Sequence, residues 1–93
     1  MIYLKLGVEG DLSIRANKAR GEVARLYETK GNDLIITSQR EGNHGYGSLH
    51  YNGNAFDFRK ADNITKRDIA DRLGNDFDVV EHATHMHVEY DPK

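Results

Sequence analysis

Ninety-three residues of 10.6 kDa allow one small domain, which buries only roughly 60–68% of the surface its unfolded form exposes. At 38% hydrophobic and 30% charged residues, the composition is that of a soluble globular protein and excludes a disordered or membrane-embedded chain. A net charge of −2 excludes a global basic field for nucleic acid or an anionic membrane, and the lack of cysteine excludes disulfides and thiolate metal sites. The first nine residues, Met1 to Glu9, carry no basic n-region and no apolar h-region. The longest apolar stretch, Leu34-Ile35-Ile36, is far short of the ~20 residues of a spanning helix. Synthesis in the cytoplasm without a secretory signal is therefore expected.

In chain order, Ile2-Tyr3-Leu4-Lys5-Leu6 has the apolar content of a short strand, ended by Gly7 and Gly10. From Ile14 to Lys30, Ala16, Ala19, Val23, Ala24, Leu26 and Tyr27 approximate helical spacing, although Gly21 weakens that helix by about 1 kcal/mol relative to Ala. Gly31-Asn32-Asp33 stops it, and Leu34 to Thr37 reads as a buried strand. Residues 39–54 are rich in Gly, Asn, His and Ser and form a candidate functional loop. Ala55-Phe56-Asp57-Phe58 follows as a strand, with both phenylalanines facing the core and Asp57 facing away. Thr65 to Asp68 has the form of a capping box, with Asp in place of the usual Glu or Gln. It opens a short helix carrying Ile69, Ala70 and Leu73, which Gly74 ends. Phe77–Glu81 and His85–Tyr90 are two further strands joined tightly. The order predicts a single-domain α+β sandwich over residues 1–93, with helices on one face of a mainly antiparallel sheet.

All five histidines (His44, His50, His82, His85 and His87) lie in the C-terminal half, among acidic residues. On the last strand His85 and His87 share one face, while Met86, Val88 and Tyr90 share the other. The apolar face can pack on the core while both imidazoles reach a common point. Gly53 permits a turn that lets His50 and Asp57 converge as well. Imidazoles, a carboxylate and a position open to water describe a catalytic zinc site. A carboxylate flanked by two core phenylalanines needs some partner, because unpaired burial is costly. A metal would satisfy Asp57, and so would a salt bridge from Arg59 or Arg40. Glu89 shares the face of His85 and His87 and could stand behind a metal ligand, although structural roles are the stronger expectation for it. His82 has no better claim than any surface histidine, and Tyr51 and Tyr90 read as packing residues.

Ser48-Leu49-His50-Tyr51-Asn52-Gly53-Asn54-Ala55-Phe56-Asp57 resembles the S-x-H-x-x-G-x-A-x-D motif of the D-Ala-D-Ala carboxypeptidase family of zinc peptidases. It is closer still to the S-L-H-Y-x-G-x-A-x-D segment of hedgehog signalling domains, which share that fold. Glu81-His82-Ala83-Thr84-His85-Met86-His87 is similar to the E-x-x-x-H-x-H segment of the hedgehog-like branch, and His44 matches a further active-site histidine there. The chain as a whole looks like small bacteriophage and bacterial members of this group.

The resemblance implies a hedgehog/D-Ala-D-Ala peptidase fold holding one Zn2+ through His50, Asp57 and His87, with water in the fourth position. It implies Glu81 as general base, His85 and His44 as pocket residues that donate to the oxyanion, and Arg40 as the cation for a substrate carboxylate. Ser48 would fix the loop or orient a ligand at the substrate site. The implied activity is hydrolysis of peptide stems or cross-links of peptidoglycan by a monomer. Its setting would be phage lysis or wall processing, with release by a membrane-permeabilising partner.

Two departures qualify this. Many carboxypeptidase members place the base three positions before the last ligand, where this chain has Thr84, so the base falls to Glu81. Hedgehog domains carry the same cluster and act as signals, and their acidic calcium cluster is not matched here, so no calcium site is expected. A non-catalytic zinc-stabilised module that binds cell wall or a protein partner is the alternative function.

Overall fold

A computed structural model describes residues 2–5, 12–39 and 53–92. Their elements are β1 (Ile2–Leu4), α1 (Ile14–Thr29), β2 (Leu34–Ser38), β3 (Ala55–Arg59), α2 (Lys66–Leu73), β4 (Phe77–Glu81) and β5 (His85–Tyr90). The strands form one mixed sheet in the order β1-β2-β3-β5-β4, antiparallel except where β1 runs parallel to β2. That parallel pair follows from the connection. A chain leaving β1 and returning through a helix re-enters the sheet in the same direction, whereas a tight turn reverses it. The coarse expectation of an α+β fold with a mostly antiparallel sheet and two helices therefore holds, and β1 is shorter than the sequence suggested.

Helix α1 begins where the Ser13 side chain accepts from the Ala16 amide at 3.2 Å. Its small residues Ala16, Ala19 and Ala24 are buried with Val23 and Tyr27, which lets the helix lie close on the sheet. Beyond its C-terminus Gly31 takes φ of 81°, a left-handed conformation that costs glycine little. Helix α2 opens on the expected capping box: Asp68 N donates to the Thr65 hydroxyl at 3.1 Å, and Thr65 N donates to the Asp68 carboxylate at 2.9 Å.

Removing the hydroxyl in Thr65→Ala costs about 1 kcal/mol, which lowers the melting temperature of a domain this size by roughly 4–8 °C. An unchanged thermal transition would mean that the box contributes nothing. The bond from the Thr65 amide, and next one from the Thr65 hydroxyl, hold the Asp68 carboxyl below its usual value. A carboxyl depressed on folding contributes stability above its unfolded pKa and loses it as pH falls through the lower, folded value. The cap is thus expected to weaken only in acid, below the ordinary carboxylate range.

The core lies between the helices and one sheet face. Phe56 and Phe58 of β3 are fully buried, together with Leu34 and Ile36 of β2, Val88 of β5, Val23 and Tyr27 of α1 and Ile69 of α2. Phe58 meets Phe56 at 5.6 Å between ring centroids and takes the edge of Tyr27 at 5.8 Å. The Tyr27 hydroxyl donates to the Arg59 carbonyl at 2.7 Å, and burial pushes its pKa up to about 12. This packing fixes the level of β3, and alternation then sets Asp57 on the opposite face.

Candidate functional site

The site is built by register. Asp57 pairs with His87 across β3 and β5, with Arg59 opposite His85 and Ala55 opposite Glu89. Paired residues in an antiparallel ladder point to the same face, so Asp57, His85, His87 and Glu89 all lie on the face away from the helices. His87 occupies the centre. Its Nδ1 is 2.6 Å from Asp57 Oδ1, and its Nε2 is 2.8 Å from Glu89 Oε1. Only 17% of the side-chain surface of His87, and the same share for Asp57, is exposed.

An imidazole between two carboxylates satisfies both by carrying two protons. The hydrogen bond to Asp57 accordingly raises the His87 pKa, helped by Glu89 and opposed by burial. His85 flanks the pair, with Nε2 3.8 Å from Asp57 Oδ2. Its ring stacks on His82 at 4.5 Å, and Thr84 Oγ1 lies 3.4 Å from its Nδ1. Two of the three groups expected at the metal, Asp57 and His87, are therefore adjacent, with His85 beside them. Arg59 is not the partner of Asp57: it is exposed, and the carboxylate turns to histidines instead.

Glu81 does not join them. It sits at the end of β4 opposite Met86, whose side chain is buried under the helices, so alternation gives Glu81 the other face. Its carboxylate pairs with Lys60 at 2.8 Å, and the hydrogen bond from Lys60 lowers its pKa. Lys60 also donates to the His82 carbonyl at 3.2 Å, tying the end of β3 to the β4–β5 turn. Arg40, His44, Ser48 and His50, expected at the substrate, the oxyanion and the metal, lie outside the described residues.

Glu89, which strand alternation places on the face of His85 and His87, holds one nitrogen of His87. The signal was present in the i, i+2 spacing of His87 and Glu89, which puts both on one face. His82, which the sequence marks only as a surface histidine, stacks on His85, and Lys60, which no motif singles out, pairs with Glu81.

The donor set can be tested against zinc. Two ligands of one tetrahedral zinc at ~2.0–2.1 Å stand roughly 3.3 Å apart. For Asp57 Oδ1 and His87 Nδ1 to serve as such a pair, the proton between them must leave and the atoms must part by about 0.7 Å from their 2.6 Å contact. Glu89 on the far nitrogen fits the usual arrangement, in which a metal-bound histidine donates its second N–H to a carboxylate. These residues fit zinc as two ligands and a supporting partner. Among the described residues, Asp78, Glu89 and Asp91 also bring one oxygen each within 4.8 Å of one another, an arrangement common to exposed acids with no ion bound.

Compared with known proteins, the chain matches no family model, no curated protein and no solved structure.

Proposed function

We propose that the chain is a zinc-dependent peptidase of the hedgehog/D-Ala-D-Ala peptidase fold that hydrolyses peptide stems or cross-links of peptidoglycan. The observation that supports this most is the Asp57–His87–Glu89 chain with His85 alongside, because two of the three motif-matched residues, Asp57 and His87, are in contact on one sheet face. Asp57 and His87, with His50, would hold the metal. Zinc supplies a hydroxide nucleophile near neutral pH by lowering the pKa of water toward ~7. Glu89 keeps the His87 ring oriented. His85 and His44 donate hydrogen bonds to the developing oxyanion, a role in which a single preorganised donor contributes about 2.7–4 kcal/mol.

Glu81 is the proposed base. Its carboxylate is held by Lys60, which lowers its pKa, on the face away from Asp57 and His87. Service as the base therefore requires that ion pair to open and the β4–β5 turn to carry Glu81 round to the His85 side. The proton then passes to the leaving amine.

The Lys60–Glu81 pair favours a second reading, a zinc module that binds the cell wall or a protein partner without turnover. Digestion of purified peptidoglycan by the zinc-loaded chain, with fragments read by mass spectrometry, separates the two. New fragments that vanish with chelator and return with zinc support the peptidase, and their masses name the bond. Glu81→Gln is expected to lower that rate by at least ~10²-fold while leaving zinc bound, in keeping with loss of a general base. Intact peptidoglycan beside a chain that holds zinc would overturn the enzyme. In either case chelation destabilises the chain, by about 2.7 kcal/mol where free zinc had stood at a hundred times its Kd.

A further inference from the structure

Beside His85 the sheet face opens into a cleft of about 390 Å³ lined by Lys5, Thr37, Arg59, Lys60, Thr84 and His85. Three of these six are cations and none is a carboxylate, in a chain whose net charge is −2. Lys60 is committed to Glu81. Lys5 and Arg59 are exposed and have no ion-pair partner among the described residues. Among the described lining residues the two cations not committed to an acid, Lys5 and Arg59, repel one another, an arrangement that an incoming anion relieves. The two threonine hydroxyls and the His85 ring add polar atoms that can bond such an anion.

The placement ties this cleft to the Asp57–His87 pair. Arg59 stands two residues after Asp57 on β3, so their side chains share a face about 7 Å apart along the strand. That spacing equals about two residues of extended peptide. At the other end of β5 the charge is reversed, with Glu89 close to Asp78 and Asp91. An anion is therefore repelled from one end of the strand and drawn to the other.

We propose that this cleft is an anion subsite in which Arg59, with Lys5, binds a carboxylate of an acidic peptide, one to two residues from the bond held at Asp57 and His87. Its role as a substrate subsite rests on the peptidase reading, whereas its capacity to bind a carboxylate does not. Arg59 presents a planar fork that suits a carboxylate in two parallel hydrogen bonds, and Lys5 adds a point charge.

The test uses the zinc-loaded full chain and two forms of one peptidoglycan stem peptide, with its carboxylates free or amidated. Binding is followed by NMR at the amides of Thr37, Arg59 and Thr84. The free acid is expected to shift these signals and to bind about tenfold more tightly than the amide, the gain of one charge-assisted contact. Arg59→Gln is expected to abolish that difference, Lys5→Gln to reduce it and Arg59→Lys to restore part of it. Both parent side chains are exposed, so the folds of the variants should survive, and their thermal transitions check this. Equal binding of acid and amide by the parent, or no shift from the acid at millimolar concentration, overturns the subsite. So does an Arg59→Gln chain that still prefers the acid. Peptidoglycan digestion, run in parallel, reports on the peptidase alone. Cutting without acid preference removes the subsite and keeps the enzyme, and acid preference without cutting does the reverse.

Discussion

Asp57→Ala is expected to abolish zinc retention and peptidoglycan hydrolysis together while the chain stays folded. The carboxylate lies on the sheet face opposite Phe56 and Phe58, so removing it leaves the buried layer intact. What it removes is the negative charge facing His87 Nδ1 at 2.6 Å, and with it one proposed donor to the metal. Changes to residues that only support a ligand typically lower metal affinity by about 10–100-fold. Loss of the ligand itself should exceed that range, and Glu89→Gln should fall within it, because Glu89 touches His87 only through Nε2. The ordering is therefore a test in itself: a large loss for Asp57→Ala, an intermediate one for Glu89→Gln, and no loss for Glu81→Gln. Zinc titrations against a competing chelator give all three affinities, and circular dichroism reports the fold. An Asp57→Ala chain that binds zinc as tightly as its parent would remove the metal centre from this face. A Glu89→Gln chain that does so would show that its contact with His87 supports nothing.

Much of this arrangement is legible in the sequence, because strand alternation is a local rule. The pattern Phe56-Asp57-Phe58 fixes which residue of β3 leaves the core, and His85-Met86-His87-Val88 does the same on β5. The capping box and Gly74 set the bounds of α2 for equally local reasons. Three features are not local. The parallel pairing of β1 with β2 depends on where α1 returns the chain. The bond from Glu89 to His87 depends on side-chain rotamers, which alternation leaves undetermined. Glu81 shows the limit of counting residues. Four positions before His85 it looks close to the site, but a tight turn separates the two strands, and the register that follows places it opposite Met86. Proximity in a hairpin is a matter of register and face, and spacing alone supplies neither. The expected contributions of Arg40, His44, Ser48 and His50 rest on the sequence motif.

Phe58→Ala is expected to cost about 3–5 kcal/mol, the range for truncating a buried phenylalanine. A small domain has only about 5–15 kcal/mol in total, so this one change is expected to bring the chain near its unfolding threshold at 37 °C. Phe58 is fully buried and makes two ring contacts, to Phe56 and Tyr27. Its loss opens a void between α1 and the centre of the sheet, where neighbouring strands restrict collapse. It also loosens the ring that carries the Tyr27 hydroxyl to the Arg59 carbonyl. Asp57 stands between Phe58 and Phe56 on the same strand, so the core on one face supports the site on the other. Thermal unfolding of Phe58→Ala should therefore drop by well over ten degrees, at roughly 4–8 °C for each kcal/mol. Phe58→Leu, which keeps most of the volume, should lose much less. Excess zinc should restore part of the loss in Phe58→Ala and none in Phe58→Ala combined with Asp57→Ala, because only the first retains the proposed ligand pair. Equal rescue of both variants would mean that the ion stabilises the chain from somewhere other than β3.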